Sequence, residues 1–166
     1  LAAITVALTA FLKAGDHLLM VDTVYGPARK FCDNHLARFG VETTYYDPRI
    51  GTGIAALIRP NTRVVYVESP GSLTFEVQDV PAIAASAHAA GAVVVMDNTW
   101  ATPLFCKAFA LGADITSAAM LYLFVVVLVS LLAGLVPALV VAVAAIVCLD
   151  AYFTYPTTGT YPGVLI

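Results

Sequence analysis

The sequence predicts an α/β protein with a mainly parallel sheet, followed by an apolar helical tail. Two observations carry this prediction. Short apolar runs alternate with amphipathic segments up to about residue 114, as buried strands and helices do. Beyond that point the sequence changes character, because Asp150 is the only charged side chain after Asp114. The chain therefore divides into an α/β part and an apolar part.

Composition and charge exclude several classes of protein. Of the 166 residues 60% are apolar and 11% charged, against about 45–50% and 25% in an average domain, which excludes a disordered chain. The net charge of −3 provides no basic surface for nucleic acid, so no nucleic-acid partner is expected. The cysteines and histidines are few and scattered, which predicts free thiols and no metal site. They are Cys32, Cys106, Cys148, His17, His35 and His88.

The elements of the α/β part follow one another in a regular order. Residues 1–12 are apolar but lack a basic leader and a cleavage site, so they predict a helix that begins before Leu1 rather than a signal peptide. Four short apolar runs predict strands, at residues 17–22, 41–46, 63–69 and 92–97. The segments between them predict crossover helices, at residues 26–40, 51–60 and 79–91. Apolar strands joined by such helices form parallel sheets covered on both faces.

Polar residues follow three of the predicted strands, at the sheet edge where α/β proteins bind ligands. They are Asp22, Tyr25 and Gly26, then Glu68 and Ser69, then Asp97, Asn98 and Thr99. Asp97 is the strongest candidate, because a carboxylate after four apolar strand residues is costly unless a cation meets it. The alternative is a turn residue satisfied by backbone N–H groups. The pattern alone leaves both interpretations open.

Longer blocks of the sequence resemble a known family. They are DHLLMVDTVYGPARKFCD, GVETTYYDP, NTRVVYVESPGS, EVQDVPAIAA and VVVMDNTWATPLF. In this order they resemble the cystathionine β-lyases, a branch of the Cys/Met metabolism enzymes that use pyridoxal 5′-phosphate, over residues 1 to about 114. The related γ-synthases and γ-lyases more often have asparagine after the ESP element. The resemblance implies that residues 1–117 are part of an aminotransferase-like (fold type I) large domain.

The resemblance also implies functional roles for residues at the polar edge. Asp97 matches the family aspartate that pairs with the pyridine nitrogen, which keeps the ring protonated. Tyr25 matches the tyrosine that stacks on the ring and handles a proton, Thr99 lies beside the ring, and Trp100 is expected only to pack. The implied reaction is β-elimination of cystathionine to homocysteine, pyruvate and ammonia. A small sulfur amino acid substrate, a tetrameric assembly and a cytoplasmic location are implied as well.

The sequence departs from the family at the lysine that attaches the cofactor and acts as the base. Where the family has a segment close to SxQAATKYLVGHSD, this chain has GADITSAAMLYLFVVV. The alignment places Met120 at the threonine and Leu121 at the lysine, and leucine can neither bond to the cofactor nor take a proton. The phosphate turn expected before Leu1 and the carboxyl-terminal domain also have no counterpart. We therefore expect this chain to be inactive by itself.

The tail begins where the resemblance ends. Residues 118–149 contain no charged side chain and predict a transmembrane-like helical segment with a bend at Pro137, and residues 150–166 form an aromatic tail with Pro and Gly. A membrane anchor joined to a degenerate α/β fragment would explain this pattern, and so would a shifted reading frame or a wrong junction. A buried core helix is disfavoured, because no surface remains to cover so much apolar area. The tail therefore leaves membrane association open.

Overall fold

The computed structural model describes residues 1–117. The predicted apolar helix at 118–149, the tail at 150–166 and the aligned positions Met120 and Leu121 lie outside the described residues. Within residues 1–117 no helix is both long and apolar enough to cross a membrane.

A parallel sheet forms the centre of the described part, in the order β2-β1-β3-β4-β5. This confirms the predicted α/β class and parallel sheet. The strands are β1 (His17–Val21), β2 (Glu42–Tyr46), β3 (Thr62–Glu68), β4 (Val93–Asp97) and β5 (Ile115–Ser117). The four predicted strands begin and end within about a residue of the observed ones. The fifth strand was not predicted.

The helices are α1 (Ala2–Phe11), α2 (Gly26–Asn34), α3 (Val80–Ala89) and α4 (Thr102–Phe105). Short 3₁₀ helices lie at Leu36–Phe39, Gly51–Leu57 and Ala108–Leu111. The prediction of a crossover helix at 51–60 was therefore wrong in type, because two glycines open this segment and favour a tighter turn over a regular helix. The helix predicted at 26–40 is shorter than expected, because α2 ends at Asn34. A separate 3₁₀ helix follows at Leu36–Phe39 and stops at Gly40, whose φ is +76°.

The strand order places a switch of direction between β1 and β3. From β1 the chain moves outward to β2, then returns past β1 to β3 and continues the other way to β4 and β5. Since parallel crossovers are right-handed, these opposite movements put α2 and α3 on opposite faces of the sheet. Ligands of such folds bind at the switch, beyond the carboxyl ends of the strands. The loops after β1 and β3 therefore flank the expected site.

The core consists of the central strands and the helix faces that cover them. Residues of β1 and the run Val64–Val67 of β3 are fully buried. Helix α2 contributes Cys32, which is 1% exposed, and its Sγ lies 3.7 Å from Sδ of Met20 in β1. Burial raises the pKa of the Cys32 thiol to about 12.

The amino-terminal edge of the sheet contains a buried histidine. His17 is fully buried, and its Nδ1 lies 2.8 Å from Oγ1 of Thr62, while its Nε2 lies 2.9 Å from Oγ1 of Thr44. Burial, together with the positive charge of Arg59, lowers the pKa of His17. Both ring nitrogens thus have partners within the fold.

Candidate active site

Three adjacent strands end in a row of polar residues at the carboxyl edge of the sheet. Glu68 pairs in register with Asp97, and Asp97 pairs in register with Ser117. Side chains in register on neighbouring strands project to the same face. All three residues are buried, with exposures of 3%, 7% and 6%. We refer to them as the strand-end row.

A cavity of about 450 Å³ lies against the strand-end row. It is lined by Leu1, Ala3, Ile4, Tyr25, Glu68, Ser72, Leu73, Asp97, Thr99, Trp100 and Ser117. The structure thus brings the three residues singled out from the sequence, Tyr25, Asp97 and Thr99, to one cavity. Their roles there stay predictions.

Asp97 combines features of both interpretations considered for it. Its Oδ1 accepts a hydrogen bond from the backbone N–H of Thr99 at 2.9 Å, as a turn residue would. The side chain is nevertheless buried and lines the cavity. Among residues 1–117, no cationic side chain forms an ion pair with Asp97. The carboxylate therefore has capacity to bind a cationic group in the cavity.

Glu68 is a second buried carboxyl group at the site. Its Oε2 accepts a hydrogen bond from the backbone N–H of Tyr25 at 2.8 Å. Burial raises the pKa of Glu68 to about 7, and the charge of nearby Asp97 adds to this rise. Tyr66, on the same strand, has a pKa well above its usual value, because it is buried and lies near both carboxylates. A second negative charge is therefore costly here unless a cation is present.

Several buried polar atoms at this edge have no hydrogen-bond partner among residues 1–117. They include Ser117 Oγ, Asn98 Oδ1, Thr116 Oγ1, Thr23 Oγ1 and Tyr66 OH. Ser117 and Tyr66 lie on the same face of the sheet as Asp97, whereas Thr116 lies on the opposite face. Buried polar atoms normally have partners, so the atoms on the Asp97 face mark a place where a ligand or a further part of the protein would supply them.

A hydrogen-bonded scaffold holds the segments around the cavity. Gln78 donates from Nε2 to the backbone carbonyl of Glu68 at 2.7 Å, and its backbone N–H donates to Oγ of Ser69 at 3.0 Å. The backbone N–H of Ser72 donates to the carbonyl of Thr23 at 2.7 Å. Gly71 permits this approach, because a Cβ there would lie 2.5 Å from Oγ1 of Thr23. The loops after β1 and β3 are thereby joined.

Trp100 lines the cavity and also packs against a neighbouring ring. It is 52% exposed, and its ring meets that of Phe75 edge to face, with centroids 5.1 Å apart. Leu73 and Phe75 are exposed nearby, at 86% and 55%. The sequence predicted packing for Trp100 and did not predict that it would also line the cavity.

Sequence reasoning had noted Glu68 after a strand but gave it no role, and it missed Ser117. The signal for Glu68 was present, since it ends an apolar strand as Asp97 does. Ser117 carried no such signal, because β5 has only three residues and contains no apolar run.

Comparison with known proteins gives the class to which this fold and site belong. The sequence profile of the Cys/Met metabolism PLP-dependent enzymes matches residues 1–123. The chain therefore belongs to this family, whose members use pyridoxal 5′-phosphate. The match extends somewhat beyond residue 114, where the resemblance was expected to end.

Two relatives and one solved structure show how similar this chain is to individual members of the family. A Rhizobium johnstonii protein is 58% identical over 116 residues, covering 70% of this chain and 29% of that one. Cystathionine β-lyase MetC of Escherichia coli is 44% identical over 117 residues, covering 69% and 30%. The structure of cystathionine γ-lyase from Lactobacillus plantarum, complexed with L-serine, matches with a TM-score of 0.66 at 35% identity, covering 69% and 30%. This chain spans about a third of the length of these relatives.

The cavity suits the ring of pyridoxal phosphate. The buried carboxylate of Asp97, which has no cationic partner in the described part of the chain, matches a protonated pyridine nitrogen in charge. Ser117 lies beside it in register. An aromatic side chain, Tyr25, lines the same cavity and is 41% exposed. The described residues thus fit the ring of the group on which the family depends.

Proposed function

We propose that this chain is part of a carbon–sulfur lyase of the cystathionine β-lyase type. One observation carries the proposal: the buried carboxylate of Asp97, which has no cationic partner within residues 1–117, lies in a cavity at the carboxyl edge of a parallel sheet. The family profile and the 44% identity to E. coli cystathionine β-lyase support the same conclusion. The substrate class is a small amino acid that contains sulfur, and the location is cytoplasmic.

Each site residue has a defined task in this proposal. Asp97 holds the proton on the ring nitrogen through its negative charge. Tyr25 covers the ring with its aromatic face and presents a hydroxyl that can donate or accept a proton. Thr99 lies beside the ring and fixes Asp97 by its backbone N–H. Bound at Asp97 and Tyr25, pyridoxal phosphate would supply an electron sink for the substrate Cα, so that the sulfur side chain could leave as homocysteine. Hydrolysis of the remaining three-carbon imine by water would then give pyruvate and ammonia.

The chain by itself is proposed to be inactive. The base of the family reaction is a lysine, and the sequence has Leu121 at the aligned position. The three lysines of the chain are Lys13, Lys30 and Lys107, and none lines the cavity. A leucine side chain has no proton-accepting atom, so proton removal from the substrate has no agent there. Assembly into a tetramer, as the family implies, is part of the same proposal.

The experiment is cofactor binding by the full chain, followed by borohydride reduction and peptide mass mapping. We expect reversible binding of pyridoxal phosphate with no attachment to a lysine. The variant M120T/L121K should become labelled at position 121. D97N should bind at least about thirtyfold more weakly, since it removes one partner of a buried charge pair. Equal binding by D97N, or no binding by the unmodified chain, would contradict the proposal.

A second candidate function is a membrane-associated protein without catalytic activity that carries a degenerate α/β fragment. The observation that favours it is the uncharged sequence of residues 118–149, which as a helix would reach about 48 Å and exceed a bilayer core. Translating the coding DNA for residues 110–166 in all three frames separates the candidates. A second frame that encodes a threonine-lysine-tyrosine element would exclude this candidate, and the present frame alone remaining open would favour it.

A further inference from the structure

The structure contains a link between two loops of the site that the family assignment does not explain. We propose that Glu68 is a positioning residue, which sets the place of Tyr25 over the cavity through the backbone amide of Tyr25. The inference rests on the proposed function, since it concerns the same cofactor site. Glu68 acts through Tyr25 and is not itself assigned contact with the reacting atoms.

The link is direct and crosses the switch point of the sheet. Oε2 of Glu68, at the end of β3, lies 2.8 Å from the backbone nitrogen of Tyr25, which precedes α2. Residues at the start of a helix have N–H groups without partners inside the helix. Glu68 supplies the partner for one of them from a strand 43 residues away in sequence. The negative end of this bond also lies at the positive end of a nine-residue helix.

The Tyr25 backbone is fixed from both sides. Its carbonyl accepts hydrogen bonds from the N–H groups of Ala28 and Arg29, at 2.9 and 3.2 Å, while its own N–H is bound by Glu68. Tyr25 as a residue is 41% exposed, so packing holds its side chain only partly. Its direction therefore depends on the backbone. Among residues 1–117, the Glu68 bond is the hydrogen bond that the Tyr25 backbone itself receives from outside α2 and its own loop.

Glu68 is itself held firmly. It is 3% exposed, and Nε2 of Gln78 donates to its backbone carbonyl at 2.7 Å. An acceptor oxygen is present on its side chain whether the carboxyl group is ionised or protonated. Glutamine preserves that oxygen and the length of the side chain. Methionine preserves the length and removes the acceptor, so the two substitutions isolate the hydrogen bond.

The test uses Trp100, the single tryptophan of the chain, which lines the same cavity. The full chain is titrated with pyridoxal 5′-phosphate and the quenching of Trp100 fluorescence gives the dissociation constant. We expect E68Q to retain the affinity within about threefold and E68M to lose about tenfold, as removal of one buried hydrogen bond predicts. E42Q, which changes an exposed carboxylate at the opposite edge of the sheet, is the matched control. Equal affinities for E68Q and E68M would overturn the inference.

A double-mutant cycle tests whether Glu68 acts through Tyr25. In a Y25A background the change E68M should reduce affinity by less than about twofold, because the ring that it positions is absent. If the tenfold loss persists in that background, Glu68 acts by another route and the inference is wrong.

Hydrogen exchange of the Tyr25 amide tests the positioning role of Glu68 independently of cofactor binding. The amide should exchange slowly in the unmodified chain and in E68Q, and at least tenfold faster in E68M. If the unmodified chain does not bind pyridoxal phosphate, the proposed function fails, and the exchange rates still decide whether Glu68 holds Tyr25. If binding occurs and exchange is equal in all three proteins, the inference about Glu68 alone is wrong.

Discussion

His17 at the amino-terminal edge of the sheet and the strand-end row at the carboxyl edge differ in how their polar groups are partnered. At the amino-terminal edge both ring nitrogens of His17 have hydroxyl partners. At the carboxyl edge Ser117 Oγ has no partner among residues 1–117, and Glu68 lies beside a second buried carboxylate, Asp97. His17 and Thr62 are as deeply buried as the strand-end row, although they lie on β1 and β3 and the row lies on β3, β4 and β5. The difference in hydrogen-bond partners therefore reflects function, stability at the amino-terminal edge and ligand binding at the carboxyl edge, and not a difference in burial.

The comparison indicates how to separate structural from functional polar residues in this fold. A buried polar group whose partners are all inside the fold adds to stability and defines the strand register. A buried group that lacks partners costs stability, and it is retained where a ligand supplies the missing interaction. Substitutions at the two edges should therefore change different properties, stability at one and ligand binding at the other.

The largest expected effect is that of H17A on stability. The substitution removes a fully buried ring and one hydrogen bond from each of the Thr44 and Thr62 hydroxyls, which keep their hydrogen bonds from Arg59. The free energy of unfolding should therefore fall by about 3 kcal/mol. Urea denaturation followed by circular dichroism measures this. H35A, at an exposed histidine after α2, is the control and should cost less than about 1 kcal/mol. Similar losses of unfolding free energy for H17A and H35A would show that the buried position of His17 has no special importance for stability.

The pH dependence of stability should have opposite signs at the two edges. The folded-state pKa of Glu68 is raised to about 7 from 4.5, so its contribution favours folding at low pH and is lost as the pH rises through about 7. The pKa of His17 is lowered from 6.5, so its contribution is present above pH 6.5 and is lost as the pH falls.

The variant E68Q isolates the carboxyl-edge part of this dependence. Between about pH 7.5 and 5.5 the unmodified chain should gain about 2 kcal/mol of unfolding free energy relative to E68Q. The difference between the two proteins removes the opposing contribution of His17 and of other groups common to both. A constant difference over this range would show that Glu68 does not titrate there.

The smallest effect is expected at the contact between the two site loops. In G71A the new Cβ would meet Oγ1 of Thr23 at 2.5 Å and Cβ of Thr23 at 2.9 Å, so the loops must separate slightly, at a cost of about 1 kcal/mol. Thermal unfolding measures the loss, and cofactor titration measures any widening of the site. G26A is the matched control, because a Cβ there meets nothing within 4 Å. An unchanged midpoint for G71A would show that the contact is not tight.

Much of the fold was predictable because its signals are local. The apolar runs that form β1, β3 and β4 are bounded by polar residues, and their observed ends differ from the predicted ends by about one residue. Strand β5 was not predictable from its own three residues, since it is defined by pairing with β4. The segment Gly51–Leu57 has an apolar side that suggested a helix, but its glycines decide the tighter form.

The site was predictable only in part, for a related reason. Tyr25, Asp97 and Thr99 all stood out because each lies at or just after the end of a predicted strand, and the resemblance to the family added their roles. The bond between Glu68 and Tyr25 depends on the strand order, which places the ends of β1 and β3 side by side. No local pattern encodes that order, so the bond became visible only once the strands were assembled.

The rate at which the buried thiol of Cys32 is alkylated reports how often the fold opens. Alkylating reagents react with thiolates, and a thiol that is 1% exposed with a pKa of about 12 is protected twice, by access and by protonation. Its labelling therefore proceeds only in those molecules in which α2 has separated from β1. Among residues 1–117, Cys106, which is half-buried, should be modified before Cys32. The slow modification of Cys32, followed by peptide mapping, then gives the rate of opening events.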